Sequence, residues 1–288
     1  MRALGLDLGG TNIKLALLED GRLVDQREAP TRSEDGDPAA VVDRIVDLGR
    51  SAGPVDTIGV ALPGLFDDDG VVVLLPNVYG AWTGTPVRAM LEAGFGGPVR
   101  LINDGHAFAV AESSLGAGRG AANVMCIVCG TGIGGGLVFE GRLHLGPSHR
   151  GGEFGHHTVA ESGPVCECGN TGCLELYAGS RAIAAAAGTP TFADAVTRAR
   201  TGDDRAVGAL ARAGELIGLA IANVLIFLAP DRVVIGGGVV EAGDLLLDPL
   251  RRSIARRARV APLDEIAITS AELGPHAGAI GAALWSVT

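Results

Sequence analysis

"GLDLGGTNIKLALLEDGRL" (Gly5–Leu23) is matched further along the chain by "MCIVCGTGIGGGLVFEGRL" (Met125–Leu143). Laid over one another without a gap, Gly10-Thr11 falls on Gly130-Thr131, Ile13 on Ile133, Leu17 on Leu137, and Gly21-Arg22-Leu23 on Gly141-Arg142-Leu143. Each copy reads as strand, glycine turn, strand, charged turn, strand. The alternation in "KLALL" and the Asp20-Gly21 turn mark an antiparallel meander. A shared "GRL" alone carries no information, but turn glycines and strands that match together point to an internal duplication. The expectation is two related lobes, each opening on a glycine hairpin.

Around the two copies, helix and strand signals alternate. "DPAAVVDRIVDLGRSAG" predicts a helix with Asp37 as N-cap and Pro38 in its first turn. An apolar strand, "VDTIGVALPG", leads to a loop carrying Pro76 and Asn77, a short helix after Pro86 and the strand "PVRLIND". Beyond Asp104 the pattern is helical again. In the C-terminal third, helices are expected over "TFADAVTRAR" and from Asp203 to Ala229. "DRVVIGGGVV" is a buried strand running into three glycines, "DLLLDPLRRSIARRARV" an amphipathic helix, "DEIAITSAEL" a strand and "HAGAIGAALWSV" a closing helix. Such alternation implies α/β layers with covered sheets.

The 288 residues are 47% hydrophobic, enough for a substantial core, and carry a net charge of −10. That charge argues against nucleic-acid binding, which needs basic surface to neutralise phosphates. The five cysteines are odd in number, and an acidic residue interrupts the N-terminal apolar run where a signal peptide would continue. Both point to a reducing, cytoplasmic setting. The most apolar segment, Glu215–Pro230, falls short of the roughly 20 residues a bilayer demands and is interrupted by Asn223, so it reads as a core helix. No membrane partner is expected. Lys14 is the single lysine among 23 Lys and Arg residues, and it flanks the first glycine turn.

Glycine turns of this kind bring backbone N–H groups close to an anion, and threonine adds a hydroxyl donor. "DLGGTN" and "CGTGIGGG" are therefore read as two clasps on a polyphosphate. Gly9, Gly10, Thr11, Asn12 and Lys14 contribute from the first, and Thr131 and Gly132 from the second. Asp7 is poorly suited to an anion and well suited to Mg²⁺ or its water shell. "GTGIGGG" also fits the dinucleotide pattern, but that fingerprint must open a helix and here a strand continues.

Three cysteines, Cys166, Cys168 and Cys173, stand in a C-x-C-x₄-C run with Gly169 and Gly172 at the folds. Thiolates joined by one imidazole, His156 or His157, suit a closed structural Zn²⁺ site. Cys126 and Cys129, three apart on a strand, face opposite ways and read as buried free thiols.

Taken in order, "GLDLGGTNIKLALL", "GVALPG", Pro76-Asn77, "LINDGHAFAVAE", "CGTGIGGGLV", "GEFGH", "CECGNTGCLE" and "VVIGGGV" resemble the ROK family of sugar kinases, within the actin-like, hexokinase and Hsp70 class of ATP-binding folds. The resemblance implies a duplicated, ribonuclease H-like two-lobe α/β fold with an interlobe cleft and a zinc-binding loop. Residues 1–103, completed by a C-terminal helix over 275–288, would form the small lobe, and 104–274 the large lobe, with its zinc loop over 152–175. It further implies Asp104 as catalytic base, Asn103, Glu153, His156 and Glu175 as sugar ligands, and Gly64 and Asn77 as added contacts. His156 would serve as the zinc histidine, and Gly237 and Gly238 would lie against the nucleoside.

The implied activity is ATP- and Mg²⁺-dependent phosphorylation of a sugar, glucose first, by a homodimer or homotetramer. Fructose, mannose, N-acetylated amino sugars or a cyclitol are the alternative substrates. Polyphosphate is an alternative donor, but it would favour a basic groove. A sugar-responsive repressor would need an N-terminal helix-turn-helix, whereas this chain opens on a strand, and a silent sensor has no need of Asp104 and Asp7. Where the family reads "NDANAA", this chain has Gly105, expected to loosen the base, and His106, expected on the helix surface. Tyr79 and Trp82 are expected near the sugar mouth, and "LFDDDG" as a solvated turn.

Overall fold

The computed structural model describes residues 1–288. Its first meander is β1 (Arg2–Leu8), β2 (Asn12–Glu19) and β3 (Arg22–Pro30). Next come α1 (Pro38–Arg50), β4 (Thr57–Leu62), a small hairpin of β5 (Leu65–Phe66) and β6 (Val72–Leu74), α2 (Val87–Phe95) and β7 (Arg100–Asn103). The Asp37 side chain caps α1 by accepting from Ala39 N at 2.9 Å, as its place before an apolar-periodic run foretells. The sheet runs β3-β2-β1-β4-β7, antiparallel through the meander and parallel from β1 to β7.

Alternation along β1 sorts its side chains between two faces. Leu4, Leu6 and Leu8 join Val41, Val42, Ile45 and Val46 of α1 in one core, each fully buried side chain contributing about 1.5–3 kcal/mol. Trp82 is buried in this core, while Tyr79 is exposed beside Gly36. Trp82 does not meet the expectation of a place at the sugar mouth, because the loop folds its indole inward, and Tyr79 does not line the cleft described below. Within "LFDDDG", Asp67 Oδ1 accepts from Asp69 N and Val71 N, which makes the turn between β5 and β6.

The second half repeats the plan. After α3 (Asp104–Ser114) come β8 (Val124–Cys129), β9 (Ile133–Phe139) and β10 (Arg142–Leu143). The chain then passes through the cysteine loop to α4 (Glu175–Ala178), α5 (Ser180–Ala187), α6 (Phe192–Arg200) and α7 (Asp204–Leu228). It closes with β11 (Arg232–Gly236), α8 (Asp244–Arg257), β12 (Ala267–Ser270) and α9 (Ala277–Trp285). The sheet order β10-β9-β8-β11-β12, with the same succession of antiparallel and parallel pairs, is that of the first lobe. Its turn is one residue tighter than a gapless overlay implies: Ile13 faces Leu8, whereas Ile133 faces Cys129.

Cys126 and Cys129 are buried on opposite faces of β8, in separate cores, and burial pushes each thiol up to about 12. The 25-residue α7 extends beyond the apolar run and is long and apolar enough to cross a membrane. However, its apolar window is 56% buried inside the protein. Gly214 and Gly218 let it lie against α8, where a Cβ would come within 2.2 Å of Leu246 O and 2.4 Å of Leu250 O. Asn223 is explained by His157, its amide nitrogen standing 3.2 Å from Nε2 of that ring.

The other face of β1 receives α9, the last helix in the chain. A Cβ on Gly5 would lie 1.9 Å from Ala279 O, and one on Gly59 of β4 would lie 1.9 Å from Ala282 O. On its far side, a Cβ on Gly281 would lie 1.8 Å from Ala107 O of α3. So α9 is pressed between the first sheet and α3, while α3 in turn packs on β8 and β9. This helix pair joins the lobes and forms the floor of the cleft between them.

Candidate active site

The cleft holds a cavity of about 610 Å³. Its lining includes the junction of β7 and α3. The Asn103 side chain caps that helix, accepting from Gly105 N at 2.9 Å and His106 N at 3.2 Å, and donates through Nδ2 to Gly64 O at 3.0 Å. This leaves Asn103 one amide N–H for a ligand. Asp104 follows as the first helical residue, and its Oδ1 accepts from its neighbour Gly105 N at 2.8 Å. Gly105 is a packing requirement rather than a source of looseness, because a Cβ there would lie 2.6 Å from Gly135 N of β9.

Asp104 is partly open to the cavity yet walled by protein. Loss of solvation, then the negative charge of Asp7, push its carboxyl up to about 7, with Glu153 adding to the rise. Asp7 points from β1 toward α9, where Gly278 leaves it room: a Cβ there would meet Oδ2 at 2.5 Å. Desolvation raises Asp7 to about 6, tempered by Lys14, its cross-strand partner. These two acids and one lysine all line the cavity.

Glu153, His156 and Glu175 stand near one another in the wall of the cavity, which Gly64 and Asn77 also line. Glu153 is raised by desolvation and by Glu175, against the pull of His156. Glu175 Oε2 accepts from Ile133 N at 2.8 Å, so the second glycine turn is tied to the start of α4. Gly64 and Asn77 both take positive φ, 86° and 66°, a conformation natural to glycine and tolerated by asparagine. Gly237 and Gly238 line the cavity too, and both hairpins enter it, through Gly9 and Gly10 and through Thr131 and Gly132. Thr11 and Asn12 do not line the cavity. Thr11 is exposed at the hairpin tip, and its carbonyl accepts from Thr31 N at 2.8 Å.

His156 Nδ1 and the sulfurs of Cys166, Cys168 and Cys173 all lie within 4.8 Å of one another. Nδ1 is 3.6 Å from Cys166 Sγ, and Cys168 Sγ is 3.7 Å from Cys173 Sγ. Ligands bound tetrahedrally to zinc at about 2.3 Å sit close to 3.8 Å apart, so the set fits that ion. Burial and the neighbouring sulfurs push Cys173 up to about 12, and a cation is what makes such a thiol a ligand. His157 turns away to Asn223, leaving His156 as the imidazole of the set. Its other nitrogen, Nε2, lies 4.0 Å from Glu153 Oε2 and faces the cavity.

Several residues of the site escaped the sequence. Glu241, Ala271, Pro275 and Gly278 also line the cavity, and of these only Pro275 and Gly278 stand in a stretch, "GPHAG" at the start of the last helix, that hinted at a turn. Thr31, fully buried, braces the first hairpin by donating to Gly9 O at 2.6 Å. Glu112, the last residue of "LINDGHAFAVAE", is a buried carboxylate. It accepts from Ala117 N and Leu273 N, both at 2.9 Å, tying the far end of α3 to the segment that leads into α9. His106 lies inside the protein, 1% exposed, and not on the helix surface.

Two sheets of like order, joined through a helix pair and presenting glycine turns to one cleft, define the actin-like, ribonuclease H-like two-lobe class. The chain belongs to the ROK family, whose model matches residues 3–288. A glucokinase of Halalkalibacterium halodurans is 36% identical over 307 residues, covering 96% of this chain and 92% of its own. The structure of a ROK hexokinase from Thermus thermophilus superposes with a TM-score of 0.87 at 33% identity, covering 100% of this chain and 98% of that one. That of a ROK family glucokinase from Streptomyces griseus in complex with glucose and AMPPNP gives 0.86 at 30% identity, covering 100% and 99%.

Proposed function

We propose that this ROK-family kinase moves the terminal phosphoryl group of ATP to a hexose hydroxyl, with glucose as the preferred acceptor and Asp104 as the base. The observation that carries the reading is the position of Asp104. It lines one cavity together with Glu153, Glu175, the glycine turns, Asp7 and Lys14, and the charges of Asp7 and Glu153 both act on it. A carboxyl held near neutral pKa suits a general base for an alcohol. Glu153, Glu175, His156 and the free N–H of Asn103 are sugar-hydroxyl partners, with Gly64 and Asn77 as added contacts. The glucokinase relatives favour glucose.

The turns at Gly9–Gly10 and Thr131–Gly132 receive the phosphates, and Gly237 and Gly238 the nucleoside. Five carboxylates (Asp7, Asp104, Glu153, Glu175, Glu241) and one lysine line the cavity. A polyanionic donor must therefore arrive with a cation, which is the place of Mg²⁺ at Asp7. The same imbalance disfavours bare polyphosphate. When bound, zinc supplies no chemistry to the transfer and holds His156 and its loop in register. The small lobe is assigned to 1–103 with the C-terminal helix and the large lobe to 104–274. The enzyme is read as cytoplasmic and homo-oligomeric, a dimer or tetramer.

A panel of sugars assayed with MgATP by coupled ADP release tests the substrate. Asp104→Asn tests the base: turnover should drop about 10²–10⁴-fold while calorimetric sugar affinity holds. Unchanged turnover in that variant refutes the assignment.

A further inference from the structure

We propose that His106 is a positioning residue that bolts the loop before Glu153 to the helix carrying Asp104. The inference rests on the reading of Asp104 and Glu153 above. His106 lies two residues beyond Asp104 on α3 and is 1% exposed. Its Nε2 is 2.5 Å from Gly151 O, and Gly151 and Gly152 lead directly into Glu153. A carbonyl only accepts, so Nε2 carries the proton and Nδ1 is bare. That Nδ1 is buried without a partner. An apolar side chain would fill the space without burying a lone acceptor, so packing alone does not account for a histidine here.

The loop it grips needs an anchor. Between Gly146 and Gly152 the backbone enters the left-handed region four times, at Gly146 (φ 66°), Ser148 (φ 51°), His149 (φ 56°) and Gly152 (φ 79°). Its internal bonds, Gly151 N to Leu145 O and Arg150 N to Pro147 O, fold the loop on itself and do not tie it to the catalytic helix. His149 and Arg150 are exposed. Phe154 and Gly152 seat the segment after the loop on β9, and the His106 side chain adds a hydrogen bond that ties the loop before Glu153 to the helix carrying the base. Misplacement of Glu153 relative to the base by about an ångström is worth up to 10²-fold in rate.

The test compares His106→Leu, which keeps volume and loses the donor, with His106→Gln, whose amide nitrogen reaches about as far as Nε2. With Leu, kcat/KM for the sugar should fall about tenfold or more with KM for MgATP and Tm little changed. Gln should recover most of it. A second readout needs no catalysis: trypsin cleavage after Arg150 should accelerate in the Leu variant and return toward wild type in the Gln variant. Equal cleavage rates in all three proteins overturn the bolt, as does sugar kinetics in the Leu variant within twofold of wild type where Glu153→Gln itself weakens sugar affinity. If Glu153→Gln leaves sugar affinity untouched while His106→Leu still loosens the loop, the sugar assignment fails and the bolt stands.

Discussion

Asp104 should make the enzyme's activity pH-dependent in a range where an ordinary aspartate would not. Its carboxyl is raised from 3.8 to about 7 by loss of solvation first and by Asp7 second. A base works only when deprotonated, so kcat/KM must rise with pH through that value. At pH 6 about one-tenth of the free enzyme carries the active carboxylate, and at pH 5 about one-hundredth. The assay is initial rate with both substrates far below saturation and Mg²⁺ in excess, so that the rate reports unliganded enzyme. Asp7→Asn removes the second cause. Its plateau should be low if Asp7 holds magnesium as proposed, but the midpoint of its acid limb should move to lower pH.

The same carboxyl affects stability with the opposite sense. Because its folded value is raised, the proton it prefers to keep stabilises the fold fully below 3.8, and that contribution is lost as pH rises through about 7. Above pH 7, Asp104→Asn should therefore melt higher than wild type. A wild-type profile flat from pH 5.5 to 8, or an acid limb that Asp7→Asn leaves in place, would refute the electrostatic reasoning.

Two further outcomes test the scaffold. Chelation, or Cys168→Ser, should remove one zinc per chain, lower Tm and weaken calorimetric sugar binding about tenfold or more; a metal-free protein with full sugar affinity would show that the cluster does not hold His156 in place. Gly281→Ala forces a methyl to within 1.8 Å of Ala107 O, so α9 must shift from α3 at a cost of about 1–3 kcal/mol, read as a lower denaturant midpoint; an unchanged midpoint would mean that the helices do not pack this closely.

Much of the fold was legible because local physics wrote it. Period-two alternation, Asp-Gly turns and the Asp37 cap act within a few residues, and the repeat of Gly5–Leu23 at Met125–Leu143 disclosed the duplication. Three cysteines and a histidine at short spacing disclosed a metal cluster for the same reason. What failed were inferences about side chains whose surroundings are distant in sequence. Trp82 turned inward to a core built by α1, α2 and the sheet. His106 was covered by a loop that begins roughly 40 residues later and offers no local signal.

By itself, then, the sequence determined the elements, their duplicated order and the set of chemical groups at hand: paired acids, one lysine, glycine turns and a thiolate cluster. Only tertiary structure decided which nitrogen of His156 meets the sulfurs and which meets Glu153. It also placed Gly278 of the last helix against Asp7 of the first strand, and fixed how far the Asp104 carboxyl is driven toward neutrality. Periodicity and caps are properties of neighbouring residues, whereas desolvation and charge repulsion depend on what long-range folding packs around a group.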